Sequence, residues 1–439
     1  MDFITGDIKP LYRKYLIASM ASALAISVYS FVDTIAVGQS EGPLGAAAMA
    51  VITPLYGLLV FLGILCGIGG SVLMSNAWGE GKKEKGNACF TAAVVLMAGL
   101  TVITWGAFAL FHHEIFTFFG ADEQTMPKVM EYAKWLIATV PIFIAPTFIS
   151  AFIRNDGAPR LAIAAVIVGG CANVFGDWFF VFPLGMGMTG AAIATVLGTT
   201  IQVVIMCSHF FRKKCTLRLV KPNNLLHGLR NILAIGFGAS VIDLGTVVMA
   251  ILMNNQIMRY GSADALAVYG VVATVTSVFQ ALFCGVGQAI QPIVSANCGA
   301  KQFDRIKATW RMSLGTVIVL GVVFTLLGEL LPTQITQLFM AATPEVLAIA
   351  PGIIRSYFLL FIPLGVTVLA TYHLQSIMHG RMSMLIAVLR SMVVSGALLL
   401  IMPMIMGLQG VWLSMPVSET LVAVLSLAYI VSINKKSDY

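Results

Sequence analysis

Blocks of apolar residues recur from one end of the chain to the other, each long enough to cross a hydrocarbon core, which takes roughly 20 residues in a helix. They place spans near residues 15–38, 46–74, 88–110, 132–153, 161–183, 190–210, 231–255, 265–295, 310–330, 353–375, 384–405 and 412–432. Backbone groups in lipid must be satisfied within the segment, and these twelve runs are too long for barrel strands, so helices are expected. The pattern predicts an all-α polytopic membrane protein.

The most polar stretch between spans is FRKKCTLRLVKPNNLLHGLRN, residues 211–231, close to mid-chain. It divides the chain into a six-helix lobe over 1–210 and another over 232–439, with 211–231 as a cytoplasmic linker. Adding 220 to a position in the first half lands on a look-alike in the second. PLGMGMTG (183–190) meets PMIMGLQG (403–410), matching Pro183 with Pro403, Gly187 with Gly407 and Gly190 with Gly410. Likewise Gly67, Ser75 and Gly79 meet Gly287, Ser295 and Gly299. Six spans per repeat is an even number, so both halves share one orientation, as in parallel repeats related by a pseudo-two-fold axis along the membrane normal. A substrate cavity between the lobes and rocking of one lobe against the other are the expectations for such a repeat.

Composition agrees. Only 10% of the 439 residues are charged and 59% are hydrophobic, whereas a soluble domain carries about 25% charged residues. The net charge of +7 is no nucleic-acid footprint, because its distribution explains it. Of 26 lysines and arginines, Lys128, Lys134 and Arg259 fall on one side of the expected membrane and Arg355 at a helix edge; the others, Arg390 among them, fall on the side of the termini. The positive-inside rule then puts both termini in the cytoplasm of a multi-pass plasma-membrane (inner-membrane) protein. No cleavable signal peptide is expected, since the first apolar run is as long as a true span and lacks a small-residue cleavage site. The seven cysteines are scattered without a CxxC pair and read as packing residues.

Residues 185–190, GMGMTG, spell G-x-G-x-x-G, but that motif binds dinucleotides only between a strand and a helix. Between two spans it reads as a tight turn. CGIGGS (66–71) and FCGVGQ (283–288) read as small-residue helix packing. His112 and His113 have no third ligand nearby, so no metal site is expected.

The buried acids stand apart. Asp33, Asp177, Asp243 and Glu419 fall inside spans, where an acid at the helix centre costs about 2.5–3.5 kcal/mol. Such residues face a bundle interior or a wet cavity. On span 5, Gly170, Asn173 and Asp177 share one helical stripe, and on span 1 so do Ser22, Tyr29, Ser30 and Asp33. Thr195, Thr199 and Gln202 line another on span 6, and Gln280, Cys284, Gln288 and Gln291 one on span 8. Asp243 aligns with Gly236, Thr246, Ala250 and Asn254. The second half does not repeat the acids: Met253 and Ala397 stand 220 residues after Asp33 and Asp177. An acidic centre in one lobe points to one site for a coupling cation.

Several stretches together resemble the multidrug and toxic compound extrusion (MATE) transporters, of bacterial or archaeal type, over essentially the whole chain. They are YSFVDTIAVG in span 1, RNDGAPRLAI after span 4, NVFGDWFFVFPLGMGMTGAAIATV across spans 5 and 6, and ALAVYGV with GVGQAIQPIVSANCGA in the span 7–8 region. The resemblance implies twelve helices in two six-helix lobes and export of cationic or amphipathic compounds by antiport against protons or sodium. It also implies an ion-coupling set of Asp33, Asn173, Asp177 and Thr195, with Asn155 at the end of span 4. In another branch of the family a second-lobe sodium site uses acids on spans 7 and 10. Asp243 matches the first, but span 10 contains no carboxylate.

The residues support the same mechanism. Two acids in a low-dielectric cavity do not readily both ionise, so the pair takes one proton, or a monovalent cation aided by Asn173 and Thr195 oxygens. Binding that cation neutralises the pocket and releases a cationic substrate from a cavity lined by Tyr29, Asp243, Gln280, Gln288 and Glu419. Beyond H+, or Na+ as the alternative, no cofactor is expected; the partners are small organic molecules and the bilayer, with no nucleic acid, and the protein is expected to work as a monomer. A lipid-linked oligosaccharide flippase would need Arg or Lys inside its cavity, which the span interiors scarcely offer. A major-facilitator transporter would carry a basic signature where this chain has GEGKKEKGN. An intramembrane aspartyl enzyme lacks its characteristic sequence around either Asp, so no catalytic residue is expected.

Overall fold

Helix formation follows the apolar blocks and runs past them at both ends. In the computed structural model residues 6–436 are described, apart from 214, 222 and 223; the side chains of 18, 21–30, 79, 239 and 434–436 lie outside the described residues. No strand occurs among the described residues.

The helices, in chain order, are α1 (Ile8–Gly79), α2 (Lys83–Phe118), α3 (Met126–Ala138), α4 (Val140–Asn155), α5 (Pro159–Val181), α6 (Gly187–Cys207), α7 (Leu225–Tyr260) and α8 (Ala263–Gly299). Then follow α9 (Phe303–Leu330), α10 (Pro332–Phe339), α11 (Pro344–Phe358), α12 (Phe361–Ser376), α13 (Gly380–Val388), α14 (Val394–Met406) and α15 (Leu408–Lys436). A 3-10 turn at Ser208–Phe211 follows α6, and a π-helical turn at Leu389–Val393 joins α13 to α14.

Helix α1 has 72 residues, more than one crossing can use, and it breaks at Gly42, whose φ of 65° and ψ of −151° are non-helical. Gly tolerates that left-handed φ, and Pro43 disfavours helix at the residue before it. The break separates spans 1 and 2. Helices α3 and α4 form one span bent by 58° at Thr139, next to Pro141. Ten of the described helices are long and apolar enough to cross a membrane, eleven with α3 and α4 as one bent span, and the break at Gly42 divides α1 between the first two of the twelve expected from hydropathy.

The chain packs into two compact units, residues 36–251 and residues 1–35 with 252–439. The polar segment 211–231 belongs to the first of these. Cys215 and Leu217 are tucked into its apolar core, where they pack with Phe90, Phe152 and Met206. Val220 N donates to Thr91 Oγ1 at 2.9 Å and Arg218 N to Asn87 Oδ1 at 3.3 Å, which fastens the segment to α2. In the other unit Phe279 stacks on Phe324 with centroids 3.8 Å apart, and Phe361 closes on both rings.

The repeat seen in the sequence is present in the backbone. Gly187 and Gly407, 220 residues apart, both adopt positive φ, 51° and 57°. Three residues on, a Cβ at Gly190 would meet the Phe180 carbonyl, and one at Gly410 the Met402 carbonyl. GMGMTG is therefore the turn that starts α6. Lys82 before α2 (φ −92°, ψ 70°) has its counterpart in Gln302 before α9 (φ −93°, ψ 71°).

Candidate functional site

The small residues of α5 and α6 set the geometry of the unit of 36–251. A Cβ at Gly169 would lie 2.7 Å from the Gly198 carbonyl oxygen, one at Gly198 2.8 Å from Asn173 Cβ, and one at Gly176 2.8 Å from Ala194 Cβ. With no side chains there, the two helices approach closely enough for Asn173 Nδ2 to donate to Thr195 Oγ1 at 3.1 Å. Thr195 Oγ1 in turn donates to the Ala191 carbonyl, 3.0 Å away on its own helix.

A chain of hydroxyls ends at the same oxygen. Tyr132 on α3 lies 3.2 Å from Thr195 Oγ1, and Tyr56 on α1 lies 2.8 Å from the Tyr132 hydroxyl. With the Thr195 proton directed to Ala191, the protons run from Tyr56 to Tyr132 to Thr195. Asn173 Oδ1 keeps its acceptor capacity, and Asp177 sits one turn further along α5, fully buried at 0% exposure. Neither tyrosine was singled out from sequence. Tyr56 and Tyr132 lie 76 residues apart, and no local spacing links them.

Asn155 lies outside this network. It is exposed at the far end of α4, where its Nδ2 donates to the Ser71 carbonyl at 3.4 Å. Beside it, Asp156 caps α4 and takes bonds from His209 Nε2 at 2.6 Å, Thr216 N at 3.1 Å and the Thr216 hydroxyl. The donor atoms of Asp156, His209 and Cys215 all lie within 4.8 Å of one another, so this group has the types a metal ion takes. Its carboxylate is already bonded to His209 and Thr216, and the group acts as a clasp on segment 211–231. Burial pushes the Cys215 thiol up from its ordinary value, and the Asp156 charge adds to that.

At the other end of the spans, Glu41 takes an ion pair from Lys128 at 2.8 Å and a bond from Met188 N at 3.2 Å. An acid at the N-terminus of α6 is favoured by the helix dipole. Asp243 is half-buried on α7 in the same unit.

In the unit of 1–35 and 252–439, Asp33 is 8% exposed, and next to it Thr274 Oγ1 donates to Thr34 Oγ1 at 3.3 Å. Asp33 thus belongs to one compact unit and Asn173, Asp177 and Thr195 to the other. The side chain of Tyr29 lies outside the described residues, as do those of Ser22 and Ser30.

Glu419 on α15 is fully engaged. Arg390 Nε donates to its Oε1 at 2.6 Å and Thr367 Oγ1 to its Oε2 at 2.6 Å. This corrects the placing of Arg390 among the cytoplasmic cations. It stands on the π turn inside the eleventh span, where a carboxylate on the neighbouring helix neutralises it. Gln288 is exposed and Gln280 is half-buried, both on helix α8.

A family model described as MatE matches residues 18–179 and, again, residues 239–401. The chain belongs to the MatE family. The two matched stretches of this MATE transporter begin 221 residues apart, in step with the backbone repeat.

Among its relatives is the multidrug export protein MepA of Staphylococcus saprophyticus, 22% identical over 419 residues, covering 94% of this chain and 91% of the relative. A solved structure described as the inward-facing conformation of a multidrug resistance MATE family transporter of the MOP superfamily superposes with a TM-score of 0.83 at 19% identity, covering 94% of this chain and 96% of that one. The MATE multidrug transporter DinF-BH in complex with R6G superposes with a TM-score of 0.73 at 24% identity, covering 98% of both chains. Family membership makes this MATE protein a transporter and not an enzyme.

Proposed function

We propose that this transporter exports cationic or amphipathic organic compounds across the plasma membrane by antiport against protons, with sodium as the alternative coupling ion. The observation that carries the reading is fully buried Asp177 one turn from Asn173, whose amide is held by Thr195. An acid at that depth is retained against its insertion cost only for use. Asp33, also buried, is the second acid of the set, and Asn155, exposed at the end of α4, is its remaining member.

In this mechanism the coupling ion neutralises the buried acids Asp33 and Asp177, the attraction for a cationic substrate is lost, and the substrate leaves. The lobes of 1–210 and 232–439 then rock against each other and release the ion inward. Tyr29, Asp243, Gln280, Gln288 and Glu419 line the path of the substrate. Both termini lie in the cytoplasm, and one chain suffices. The export named for MepA and the R6G complex of DinF-BH support the substrate class.

Uptake of an organic cation into proteoliposomes, with proton and sodium gradients imposed separately, tests the reading. Uptake driven by one gradient is the expected result, and uptake indifferent to both would sink it. The flippase reading gains nothing from Arg390, because Glu419 neutralises that cation.

A further inference from the structure

The Arg390–Glu419 pair plays no part in the ion-coupling set, yet it is elaborately held. Glu419 is 4% exposed, with one carboxylate oxygen on Arg390 and the other on Thr367. Arg390 stands on the π turn of Leu389–Val393, and such turns gather at functional sites. The Ser395 hydroxyl donates to the Arg390 carbonyl at 2.5 Å, and Ser395 and Ser418 share a bond of 2.7 Å that joins α14 to α15 at this level. A buried ion pair is often no more stabilising than apolar residues of the same volume. Its presence at membrane depth therefore needs a use for the charges.

We propose that Arg390 is a tethered counter-ion which a cationic substrate displaces from Glu419, and that its return expels the substrate. The inference rests on the efflux reading and assigns the residue in the second half that recognises the substrate's charge. While Arg390 stays, its charge neutralises Glu419 and repels a second cation from the carboxylate. The guanidinium hangs on a long side chain that is 19% exposed, so it has room to swing away from the carboxylate. In the same unit Tyr269 stands edge-on to Tyr357 at 6.3 Å. A buried carboxylate whose partner is a single monovalent cation suits a monovalent organic cation in that partner's place. An empty Glu419 would be an uncompensated buried charge after the substrate left, and Arg390 removes that cost by re-pairing with it.

Equilibrium binding of ethidium to the purified full chain at pH 8, with the neutral probe N-phenyl-1-naphthylamine alongside, tests this. Arg390→Gln removes the internal competitor, so ethidium should bind about tenfold tighter, as expected for one charge-assisted bond made available. The neutral probe should bind as before. Glu419→Gln should weaken ethidium binding, and adding Arg390→Gln to it should change nothing further. If Arg390→Gln does not purify, Arg390→Lys should still tighten ethidium binding, because lysine has no Nε–H donor where Arg390 pairs with Glu419. Unchanged or weaker ethidium binding in whichever Arg390 variant purifies, or an equal shift for both probes, overturns the proposal while gradient-driven export by the wild type leaves the efflux reading standing. A wild type that neither binds ethidium nor exports it removes the efflux reading and this inference with it.

Discussion

Asn173 on α5 donates to Thr195 on α6 across 3.1 Å, and Tyr132 reaches the same hydroxyl oxygen. Thr195→Ala would leave the Asn173 amide and the Tyr132 hydroxyl buried without that acceptor, a loss of about 1–3 kcal/mol for an unsatisfied buried group. Thermal unfolding of the purified protein should show a lower midpoint, and gradient-driven efflux should fall. Thr195→Ser keeps the oxygen and should behave as the wild type in both measurements.

Asp33→Asn and Asp177→Asn change one atom and remove the ionisable group at two buried positions. Both variants should insert and fold normally but lose ion-driven efflux in everted vesicles. Full efflux by both would exclude the acids from coupling.

The approach of α7 to α1 depends on a pair of glycines. A Cβ on Gly236 would run into the Leu65 carbonyl, and one on Gly69 into the Ile232 carbonyl and, at 3.1 Å, Gly236 Cα. Because the obstruction is backbone, Gly236→Ala should force the helices apart and destabilise by about 1–3 kcal/mol, the usual range for overpacking. Gly238→Ala, which meets nothing within 4 Å, is the control and should leave the unfolding midpoint as high or raise it, since Ala favours helix over Gly.

Cys215 should be slow to react. Burial and the neighbouring Asp156 both push its thiol up, so the thiolate, which is the nucleophile, is scarce at neutral pH and appears only as pH rises through the raised value. In a background lacking the other cysteines, maleimide labelling of the membrane protein should be slow at pH 7 and faster at pH 9. Asp156→Ala removes one cause of the shift and unfastens Thr216 and His209. It should therefore label faster at pH 7, and equal rates would show that the clasp does not guard the thiol.

Hydropathy by itself determined that the chain is a membrane bundle of twelve helices, because lipid leaves the backbone no other way to satisfy its donors and acceptors. Glycine and proline spacing determined the repeat as well. A residue forced to positive φ, as at Gly187 and Gly407, marks the same turn in both halves whatever surrounds it. The Asn173–Asp177 stripe was legible because one helix turn is a local property. What only the tertiary structure decided are the partners across helices. Tyr56 and Tyr132 joined Thr195, and Arg390 turned from a presumed cytoplasmic cation into the counter-ion of Glu419. A charge's position along the chain tells neither which way a long side chain reaches nor what a helix 29 residues on presents to it. Packing alone brings such groups within bonding distance.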